Sequence, residues 1–486
     1  MLVLLPLVLL PLASAFSIHI ATNLTARKLL HQRSPGLALH NFQDINYHAN
    51  IDLGGQSFTV LIDTGSADLW VAGNVANSTD TGQRAQGRYA QKNVEGPVKT
   101  ADLHFGDYRV PDQAFLQVQP DDSHLENFGT LGLGPSSGSS FHNLLTPPAA
   151  DPVLYRLFHQ NITAPNYFTI LLGREKDPTD RFTGTLTVGE IIGQYRSILA
   201  QPRLNITKLP DDVDGDQHLQ VLLDEEGIIG PDGEPIPLLS EVRHSGSPAR
   251  PTVVFDSGFS LPQVPRSVAD AIYGKFAGAQ YVSINGIGSV WILPCRHEVN
   301  VSFRFGGRVY PIHPLDMTMC VGLLVVLVGC LLMVSYRQPE DLGLGMLSNN
   351  TIRGERACIG TFQPFTFERG SQPSFDMVLG MAFMRNVYTL FDYGDFVPDS
   401  VEDLREEPYV QLLSLTDPVE AHTDFVTVRL ATRDDGDEDE DGDAPPASAS
   451  SSRVHSAIVA AVAVVGVLIV LAGFFVYRAR RGRGVR

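Results

Sequence analysis

Two short segments of this chain share one design, an apolar strand that ends in an aspartate at a tight turn. The first is VLIDTGSADLWV at residues 60–71, and the second is PTVVFDSGFS at residues 251–260. In each segment, three apolar residues predict a buried strand, and the next residues supply the hydroxyl and the permissive glycine backbone of a turn. Asp63 and Asp256 stand 193 positions apart, a domain-sized interval. The repeat therefore predicts two related lobes that each deliver one carboxylate to a shared cleft.

A third Asp-Thr-Gly triplet, at residues 80–82, lacks this context. It follows Asn77-Ser78-Thr79, a polar stretch that carries a glycosylation sequon, instead of an apolar strand. We interpret the triplet as a solvated turn and keep only the two strand-borne aspartates as candidates for chemistry.

Composition excludes several other function classes. The 486 residues include 36 Lys and Arg against 54 Asp and Glu, a net charge of −18, whereas nucleic-acid binding requires clustered positive charge. Four Cys in a chain of this length exclude a disulfide-scaffold fold. No Cys/His spacing resembles a zinc site, and no phosphate-binding loop of the GxxxxGK[ST] type is present.

Paired carboxylates offer one specific chemistry. Two carboxyl groups in contact share one proton, because both cannot readily ionise side by side. The ionised member can take a proton from a water held between them. The protonated member can polarise a carbonyl and later pass a proton to a leaving amine.

With these motifs, the chain resembles the pepsin-like aspartic proteases, and more narrowly their membrane-anchored fungal members; that family is the standard example of such a dyad. The similarity extends from about residue 42 to residue 430. The resemblance implies an all-β, bilobal acid protease fold with the cleft between two related lobes. Besides the two turns, the matching segments are NIDLGGQSFTV (50–60), LHFGDYRVPDQAF (103–115), GTLGLGP (129–135), FTGTLTVGE (182–190), CIGTFQPF (358–365) and DMVLGMAFMRNVYTLFDYG (376–394).

The resemblance assigns roles within the turns. Asp63 and Asp256 match the catalytic pair. Ser66 matches a hydroxyl that hydrogen-bonds the first aspartate, whereas the equivalent residue of the second turn, Phe259, has no hydroxyl. In the family an apolar-apolar-Gly element crosses behind each turn, a place taken here by residues 130–132 and 378–380. The remaining support residues of the dyad are Thr64, Gly65, Ser257 and Gly258.

A hairpin that covers the cleft is also implied by the resemblance. Tyr89, with Gly96 seven residues later, fits the family's flap, and Trp70 matches the residue behind the flap tyrosine. The family usually has Gly one and three residues after that tyrosine, where this chain has Ala90 and Lys92. We expect a stiffer flap tip that carries a charge over the cleft. An ordinary surface-strand tyrosine is the alternative for Tyr89, and plain core packing is the alternative for Trp70.

One disulfide and one unusual insertion follow in the second half. Cys295 and Cys358 match the family's second-lobe disulfide, which here closes a loop of 62 residues. Within it, residues 320–334 are an uncharged apolar run that the family lacks. Residues 320–349 are thus either a buried hairpin with a Cys320–Cys330 bridge, an interfacial element at the membrane, or translated non-coding sequence.

The two ends of the chain predict its compartment. Residues 1–15 resemble a signal peptide, since they are apolar and end in Ala-Ser-Ala, and the alternative is a membrane anchor. Residues 16–41 are a candidate short propeptide with Arg27-Lys28 as a basic processing site. The two lobes would then occupy residues 42–200 and 201–430.

The C-terminal region predicts an anchor. Residues 431–456 read as an acidic and Ser/Pro-rich stalk, and residues 457–477 are 21 uncharged, mostly apolar residues, the length of one membrane-spanning helix. The basic tail at 478–486 places the C-terminus in the cytosol; a buried core helix is the alternative for 457–477. We expect a single-pass type I membrane protein of the secretory pathway, at the cell surface or in a vacuole-like compartment. Six sequons on the lumenal side are candidate glycosylation sites, at Asn23, Asn77, Asn161, Asn205, Asn300 and Asn349.

Two functions from different classes follow. The first is an aspartic endopeptidase that hydrolyses peptide bonds of protein or peptide substrates at acidic pH, as a monomer without cofactor or metal. The second is a catalytically silent pepsin-like surface protein that binds peptides or wall components. The two intact aspartate turns favour the enzyme.

Overall fold

The computed structural model describes residues 36–87, 89, 93–160, 165–175, 177–179, 182–210, 216–284, 288–320, 351–352, 355–397 and 406–431. These residues lie in the first of two compact units of the chain, Met1–Thr432, and the second unit, Arg433–Arg486, lies outside the described residues. The predicted signal peptide, most of the candidate propeptide, nearly all of the apolar insertion, the stalk, the membrane segment and the basic tail therefore also lie outside. Within the described part of the chain, no helix is long and apolar enough to cross a membrane.

Strands dominate the described residues, as the short apolar and β-branched runs predict. In the first half they are β1 (Leu37–Ala38), β2 (His40–Phe42), β3 (Asn46–Leu53), β4 (Gln56–Asp63), β5 (Leu69–Ala72), β6 (Thr79–Gly87), β7 (Val94–Phe105), β8 (Tyr108–Val118), β9 (Phe128–Gly132), β10 (Tyr167–Leu172) and β11 (Gly184–Val188).

The second half continues the pattern with shorter strands. They are β12 (Leu204–Asn205), β13 (Gln220–Leu222), β14 (Ile228–Ile229), β15 (Thr252–Phe255), β16 (Gln263–Val264), β17 (Gln280–Ile284), β18 (Gly288–Pro294), β19 (Ser302–Phe305), β20 (Arg308–Pro311), β21 (Thr318–Cys320), β22 (Thr351–Ile352), β23 (Glu355–Gly360), β24 (Gln363–Pro364), β25 (Met377–Leu379), β26 (Val387–Asp392) and β27 (Tyr409–Ser414).

The helices are short. The α-helices are α1 (Val153–Gln160), α2 (Arg266–Tyr273), α3 (Pro314–Met317), α4 (Met381–Met384) and α5 (Pro418–Phe425). Short segments of other helix types occur at Ser136–Gly138, His142–Leu144, Gly193–Ala200, Gly394–Phe396 and Val426–Leu430.

The two lobes are built on the same strand order. In the first lobe the order β3-β4-β9-β5-β8 lies within an eight-stranded sheet, and in the second lobe β13-β15-β25-β16-β24 form a five-stranded sheet. The strand directions agree as well. β4–β9 and β15–β25 are parallel, β5–β9 and β16–β25 are antiparallel, and β5–β8 and β16–β24 are parallel. The repeat seen in the sequence is therefore a repeat of the fold.

A third sheet joins the lobes. Its order is β1-β11-β10-β26-β27-β12, so strands of the first half and of the second half meet where β10 pairs antiparallel with β26. Phe168 faces Phe391 across this junction, with their rings stacked 4.9 Å apart between centroids. Both rings are fully buried, so the junction belongs to the main hydrophobic core.

The sheets include residues that precede the predicted start of the first lobe. β1 pairs with β11, and Leu37 lies opposite Leu186; β2 pairs with β3. Residues 37–42 are thus part of two sheets, and the predicted propeptide, which runs to residue 41, overlaps them. Because the pairing is through backbone groups, the apolar pattern alone does not mark this start.

A buried ion cluster also connects the lobes. Asp316 is 1% exposed and accepts hydrogen bonds from Arg174 Nε at 3.1 Å and Nη2 at 2.5 Å, and from Arg385 Nε at 2.7 Å. Burial alone would raise the pKa of Asp316, but the two guanidinium groups outweigh it and hold that pKa well below its usual range. Since Arg174 belongs to the first lobe, the cluster fixes one lobe against the other.

The second lobe contains the predicted disulfide. Cys295 follows β18, Cys358 lies in β23, and the two are joined. Cys320, predicted as the first residue of the insertion, is the last residue of β21. Its backbone lies opposite that of Cys358. The proposed Cys320–Cys330 bridge lies outside the described residues.

The third Asp-Thr-Gly triplet proves to be solvated, as predicted, but it is not a turn. Asp80 and Gly82 lie in β6, where the pairing with β7 shifts between Asp80 and Gln83. Gly82 has a φ of +73°, and its N–H donates to Asp80 Oδ1 at 2.8 Å. The triplet therefore forms a β-bulge in an edge strand. Glycine supplies a positive φ in a bulge as it does in a turn, so the Asp-Thr-Gly sequence alone does not distinguish the two.

Candidate active site

Each lobe delivers its aspartate by the same construction. In the first lobe, β4 runs parallel to β9, and Asp63 lies level with Gly132. In the second lobe, β15 runs parallel to β25, with Phe255 level with Leu379, and Asp256 follows directly. Asp63 and Asp256 are each 6% exposed. A central strand of each lobe thus carries one carboxyl group to the point where the lobes meet.

The two turns face each other closely. A Cβ atom on Gly65 would overlap the carboxylate of Asp256, and a Cβ atom on Gly258 would lie 2.5 Å from Asp63 Oδ1. Neither glycine has a positive φ in this structure, so the requirement is for space and not for backbone conformation. Each lobe's turn is therefore shaped to admit the carboxyl group of the other lobe.

Reciprocal hydrogen bonds hold the turns together beneath the carboxyl groups. Ser257 N–H donates to Thr64 Oγ1 at 2.9 Å, and Thr64 N–H donates to Ser257 Oγ at 3.1 Å. Each hydroxyl also donates to a backbone carbonyl of the opposite lobe: Thr64 to Phe255 at 2.9 Å, and Ser257 to Ile62 at 2.7 Å. All four groups are buried and satisfied, so the network fixes the separation of the two aspartates.

The first carboxyl group receives two donors. Gly65 N–H donates to Asp63 Oδ1 at 2.9 Å, and the Ser66 hydroxyl donates to Asp63 Oδ2 at 2.5 Å. Hydrogen bonds from donors favour the ionised form of a carboxyl group.

The second carboxyl group has a different environment. Gly258 N–H donates to Asp256 Oδ1 at 2.7 Å, but Phe259 stands where the first turn has its serine hydroxyl. Burial and, next, the charge of Asp63 raise the pKa of Asp256 well above its usual range. Asp256 is therefore the carboxyl group that more readily keeps a single proton shared by the pair.

Comparison with known proteins agrees with this geometry. A family model for eukaryotic aspartyl protease matches residues 46–87, which contain β3, β4 and the first aspartate turn. Major aspartyl peptidase 1 of Cryptococcus neoformans var. grubii is 24% identical over 377 residues, 72% of this chain and 67% of that protein. Vacuolar aspartic protease of Candida albicans is also 24% identical, over 73% of this chain and 74% of its own length. These similarities support a pepsin-like aspartic protease.

A solved structure supports the fold of this protease. The crystal structure of an aspartic proteinase from Irpex lacteus superposes with a TM-score of 0.54 at 15% identity, covering 79% of this chain and 99% of the other. At that identity the likeness concerns the fold, which is mostly β and bilobal.

The candidate flap of the protease is the β6–β7 hairpin. Tyr89 lies at its end, with its ring edge-on to Trp70 at 6.4 Å between centroids. Burial, and next the charges of Asp68 and Asp63, raise the pKa of Tyr89 well above its usual range. Gly96 pairs with Ala85 in this hairpin, and a Cβ atom there would overlap the carbonyl of Gln117. Ala90 and Lys92 lie outside the described residues.

Two groups near the dyad were not anticipated from sequence. Asp68, 4% exposed, accepts hydrogen bonds from Ser139 Oγ and Ser140 Oγ, both at 2.5 Å, and burial raises its pKa. His218 precedes β13, and its ring is hydrogen-bonded to the backbone of Gly65 in the first turn. Asp68 could have been noticed as a second acid five residues after Asp63; His218 has no motif around it.

Three of the six candidate glycosylation sites lie among the described residues, and these three are at the surface. Asn77, Asn205 and Asn300 are exposed, whereas Asn23, Asn161 and Asn349 lie outside the described residues. Exposure satisfies one requirement for glycosylation, which stays a prediction. Over the described ranges, no group of three or more His, Cys, Asp or Glu side chains could hold a metal ion.

Proposed function

We propose that the protease is an acid endopeptidase that hydrolyses peptide bonds through a water held between Asp63 and Asp256. The observation that carries the proposal is the mutual fit of the two turns, in which each glycine leaves room for the opposite carboxyl group. A shared proton needs this close, buried and rigid arrangement.

The different environments assign the two roles. Asp63, with donors at both oxygens, is the ionised member, and Asp256, with a raised pKa and no hydroxyl donor, is the protonated member. In the hydration step, Asp63 takes a proton from the water as its oxygen bonds to the carbonyl carbon. Asp256 gives its proton to the carbonyl oxygen, which leaves a neutral gem-diol.

The cleavage step returns the protons. Asp63 gives its proton to the amide nitrogen, the carbon–nitrogen bond breaks, and a gem-diol hydroxyl returns a proton to Asp256 as the carboxylic acid forms. The dyad ends in its starting protonation state, so the chain's own residues supply the chemistry.

Removing either carboxyl group tests the assignment. Asp63→Asn and Asp256→Asn should each lower kcat by about a thousandfold or more, because a unit of two groups fails when either is lost. The matched control is Asp80→Asn, which alters the exposed third triplet and should leave kcat unchanged. Either dyad variant turning over at near wild-type rate would refute the assignment, whereas a wild-type chain that cleaves no peptide would favour the alternative of a silent, peptide-binding protein.

The cellular setting is part of the proposal. We infer a monomeric, lumenal catalytic body, glycosylated at its sequons and anchored through residues 457–477, in the secretory or vacuolar route. Support comes from the apolar and basic C-terminal sequence and from similarity to proteins named vacuolar proteases, such as vacuolar protease A of Arthroderma otae, 22% identical over 73% of this chain and 78% of its own length.

A further inference from the structure

Two histidines lie opposite each other in the hairpin of β2 and β3. His40 of β2 pairs with His48 of β3, and the next pair along the hairpin is Asn41 with Tyr47. β2 is the first strand of its sheet, so within the described residues it pairs on one side only. Side chains directly opposite in an antiparallel pair have Cβ atoms about 4.5–5.5 Å apart. Two imidazole rings are thus held next to each other at an edge of the first lobe.

The neighbouring pair shows which face of the sheet the histidines occupy. The Asn41 amide donates to Tyr47 Oη at 3.3 Å and to the Gly173 carbonyl at 2.9 Å, and Tyr47 is fully buried. Because successive side chains of a strand alternate between faces, His40 and His48 both lie on the other, outer face. His40 is exposed and His48 is half-buried, so a small solute can reach the pair.

Apolar contacts orient the ring of His48. The Phe128 ring meets it edge-on, with 6.3 Å between centroids, and Leu61 of β4 lies opposite His48. Burial and, next, the charge of His40 lower the pKa of His48. Among the groups that β2, β4 and β9 place against this ring, His40 is the titratable one. At neutral pH His48 therefore offers an uncharged imidazole, the form that can bind a metal ion.

A pair of neutral imidazoles suits one class of ligand. Imidazole nitrogen is a preferred ligand of Zn²⁺, Cu²⁺ and Ni²⁺, whereas Ca²⁺ and Mg²⁺ prefer oxygen. Over the described ranges, no third His, Cys, Asp or Glu side chain completes a metal-binding group with the two histidines. Water then fills the remaining coordination positions, and the site is weaker than a zinc site with three or four protein ligands.

We propose that His40 and His48 form a binding site for a divalent transition-metal ion of the Zn²⁺, Cu²⁺ and Ni²⁺ class. The bound ion joins β2 to β3 and stabilises the folded chain by mass action, because it binds the folded form and not the separated strands. Both imidazoles must be neutral to bind the ion, so the site is filled at neutral pH and emptied in acid. The site shares no residue with the dyad and does not depend on the proposed function.

Melting curves of the full-length chain at neutral pH, with and without ZnCl₂, are the first test. Zn²⁺ should raise the melting temperature of wild type, and His40→Gln, which replaces an exposed side chain, should lose this rise. His104→Gln is the matched control and should keep it, because His104 is an exposed histidine of β7 that faces Arg109 and Asp52 and not a second histidine. CaCl₂ should give no rise that depends on His40.

Calorimetric titration with Zn²⁺ measures the affinity directly. His40→Gln and His48→Gln should each weaken Zn²⁺ binding by about tenfold or more, since loss of even an outer-shell partner of a metal ligand costs about 10–100-fold. The affinity of wild type should also fall by about tenfold or more between neutral pH and about pH 5, where an ordinary imidazole is mostly protonated.

Electron paramagnetic resonance of bound Cu²⁺ identifies the ligands. The spectrum should show two coordinated imidazole nitrogens in wild type and one in either variant, a difference that a purely structural role of the histidines would not produce. Cu²⁺ should also bind wild type more tightly than Zn²⁺ or Ni²⁺, as the general order of affinities requires.

The outcomes decide the proposal. Equal Zn²⁺ affinity in wild type and both variants overturns it, as does a rise in melting temperature that CaCl₂ reproduces and His40→Gln retains, which would assign the effect to acidic residues such as those at 434–443. Loss of Zn²⁺ binding in both variants, with His104→Gln unchanged, supports it. None of these measurements uses turnover, so a chain that cleaves no peptide but binds Zn²⁺ through the pair refutes the proposed function and supports the metal site.

Discussion

Gly65 of the first lobe lies directly against the carboxyl group of Asp256 in the second lobe, so that a single methyl group at Gly65 would overlap it. Gly65→Ala should therefore move one catalytic turn away from the other and lower kcat by about a hundredfold or more, since misplacement by about 1 Å has that effect. Steady-state kinetics with a melting curve would check this. Gly138→Ala is the control, because its new Cβ would meet only ordinary contacts, the nearest at 3.6 Å. A Gly65→Ala enzyme with normal kcat would show that the turns can separate freely.

His313 should make the fold less stable in acid. Burial and, next, the charge of Arg174 lower its pKa from 6.5 to about 4. The ring accepts a hydrogen bond from Leu315 N–H through Nδ1 at the start of α3, and its Nε2 lies 3.5 Å from Asp424. The unfolded chain thus binds a proton near pH 6.5 that the folded chain binds only near pH 4. Stability is lost as pH falls across this window, by roughly 3 kcal/mol at most.

The groups around His313 make the experiment specific. Asp316 and Asp177 favour its protonation, whereas Arg174 and Arg385 oppose it. His313→Gln should lose less unfolding free energy between pH 6.5 and 4 than wild type, measured by denaturant titration at both values. His104→Gln, at an exposed histidine, should behave as wild type. Equal acid sensitivity of His313→Gln and wild type would contradict the prediction.

Residues 322–350 should be removable without loss of the fold. β21 pairs with β23 so that Cys320 lies opposite Cys358, and β22 pairs with β23 so that Thr351 lies opposite Arg356. The other edge of β23 is taken by β18, so β21 and β22 follow one another along the same edge. One residue suffices to face Ala357 between them, and Val321 joined to Thr351 supplies it.

The deletion is measured by soluble yield, melting temperature and kcat. We expect all three to equal or exceed wild type, because an uncharged apolar run leaves the chain while the strand becomes continuous. Removing residues 318–350, which also deletes β21, should prevent the chain from folding. A transcript that lacks these codons would identify the segment as non-coding sequence; a message that contains them, together with misfolding of the 322–350 deletion, would make the segment structural.

The membrane topology is testable with a tag after Arg486. A spanning helix at 457–477 with the basic tail in the cytosol predicts that protease added to intact microsomes removes the tag while the body stays protected. Tagged full-length chain in the culture medium would contradict anchoring.

Local chemistry explains why the dyad could be predicted from sequence. Asp63 and Asp256 each end a short buried strand, and the strand, hydroxyl and glycine are all within a few residues of the carboxyl group. The disulfide between Cys295 and Cys358 was likewise implied by family resemblance and is present. Such features can be recognised in the sequence because a few residues specify them.

Features assembled from distant segments could not be predicted. The rings of Phe259, Phe365, Phe367, Phe375 and His218 lie in successive contact, and no local sequence pattern relates them. Cys320, the first residue of the predicted insertion, lies in β21, which is specified by pairing with β23 and not by its own hydropathy. The bulge at Gly82 could not be predicted for a similar reason, since only the pairing of β6 with β7 reveals the shifted register.

The junction of β10 with β26 has a consequence for synthesis of the chain. β10 pairs with β11 on one side, and its other edge is covered only when β26 arrives, 219 positions later for the pair Ile170 and Thr389. Until then, a nascent first lobe presents an unpaired apolar edge, the kind of surface on which chains aggregate. Premature termination before residue 387 should therefore yield insoluble product and not an isolated lobe, and the cell must shelter the first half until the second is made.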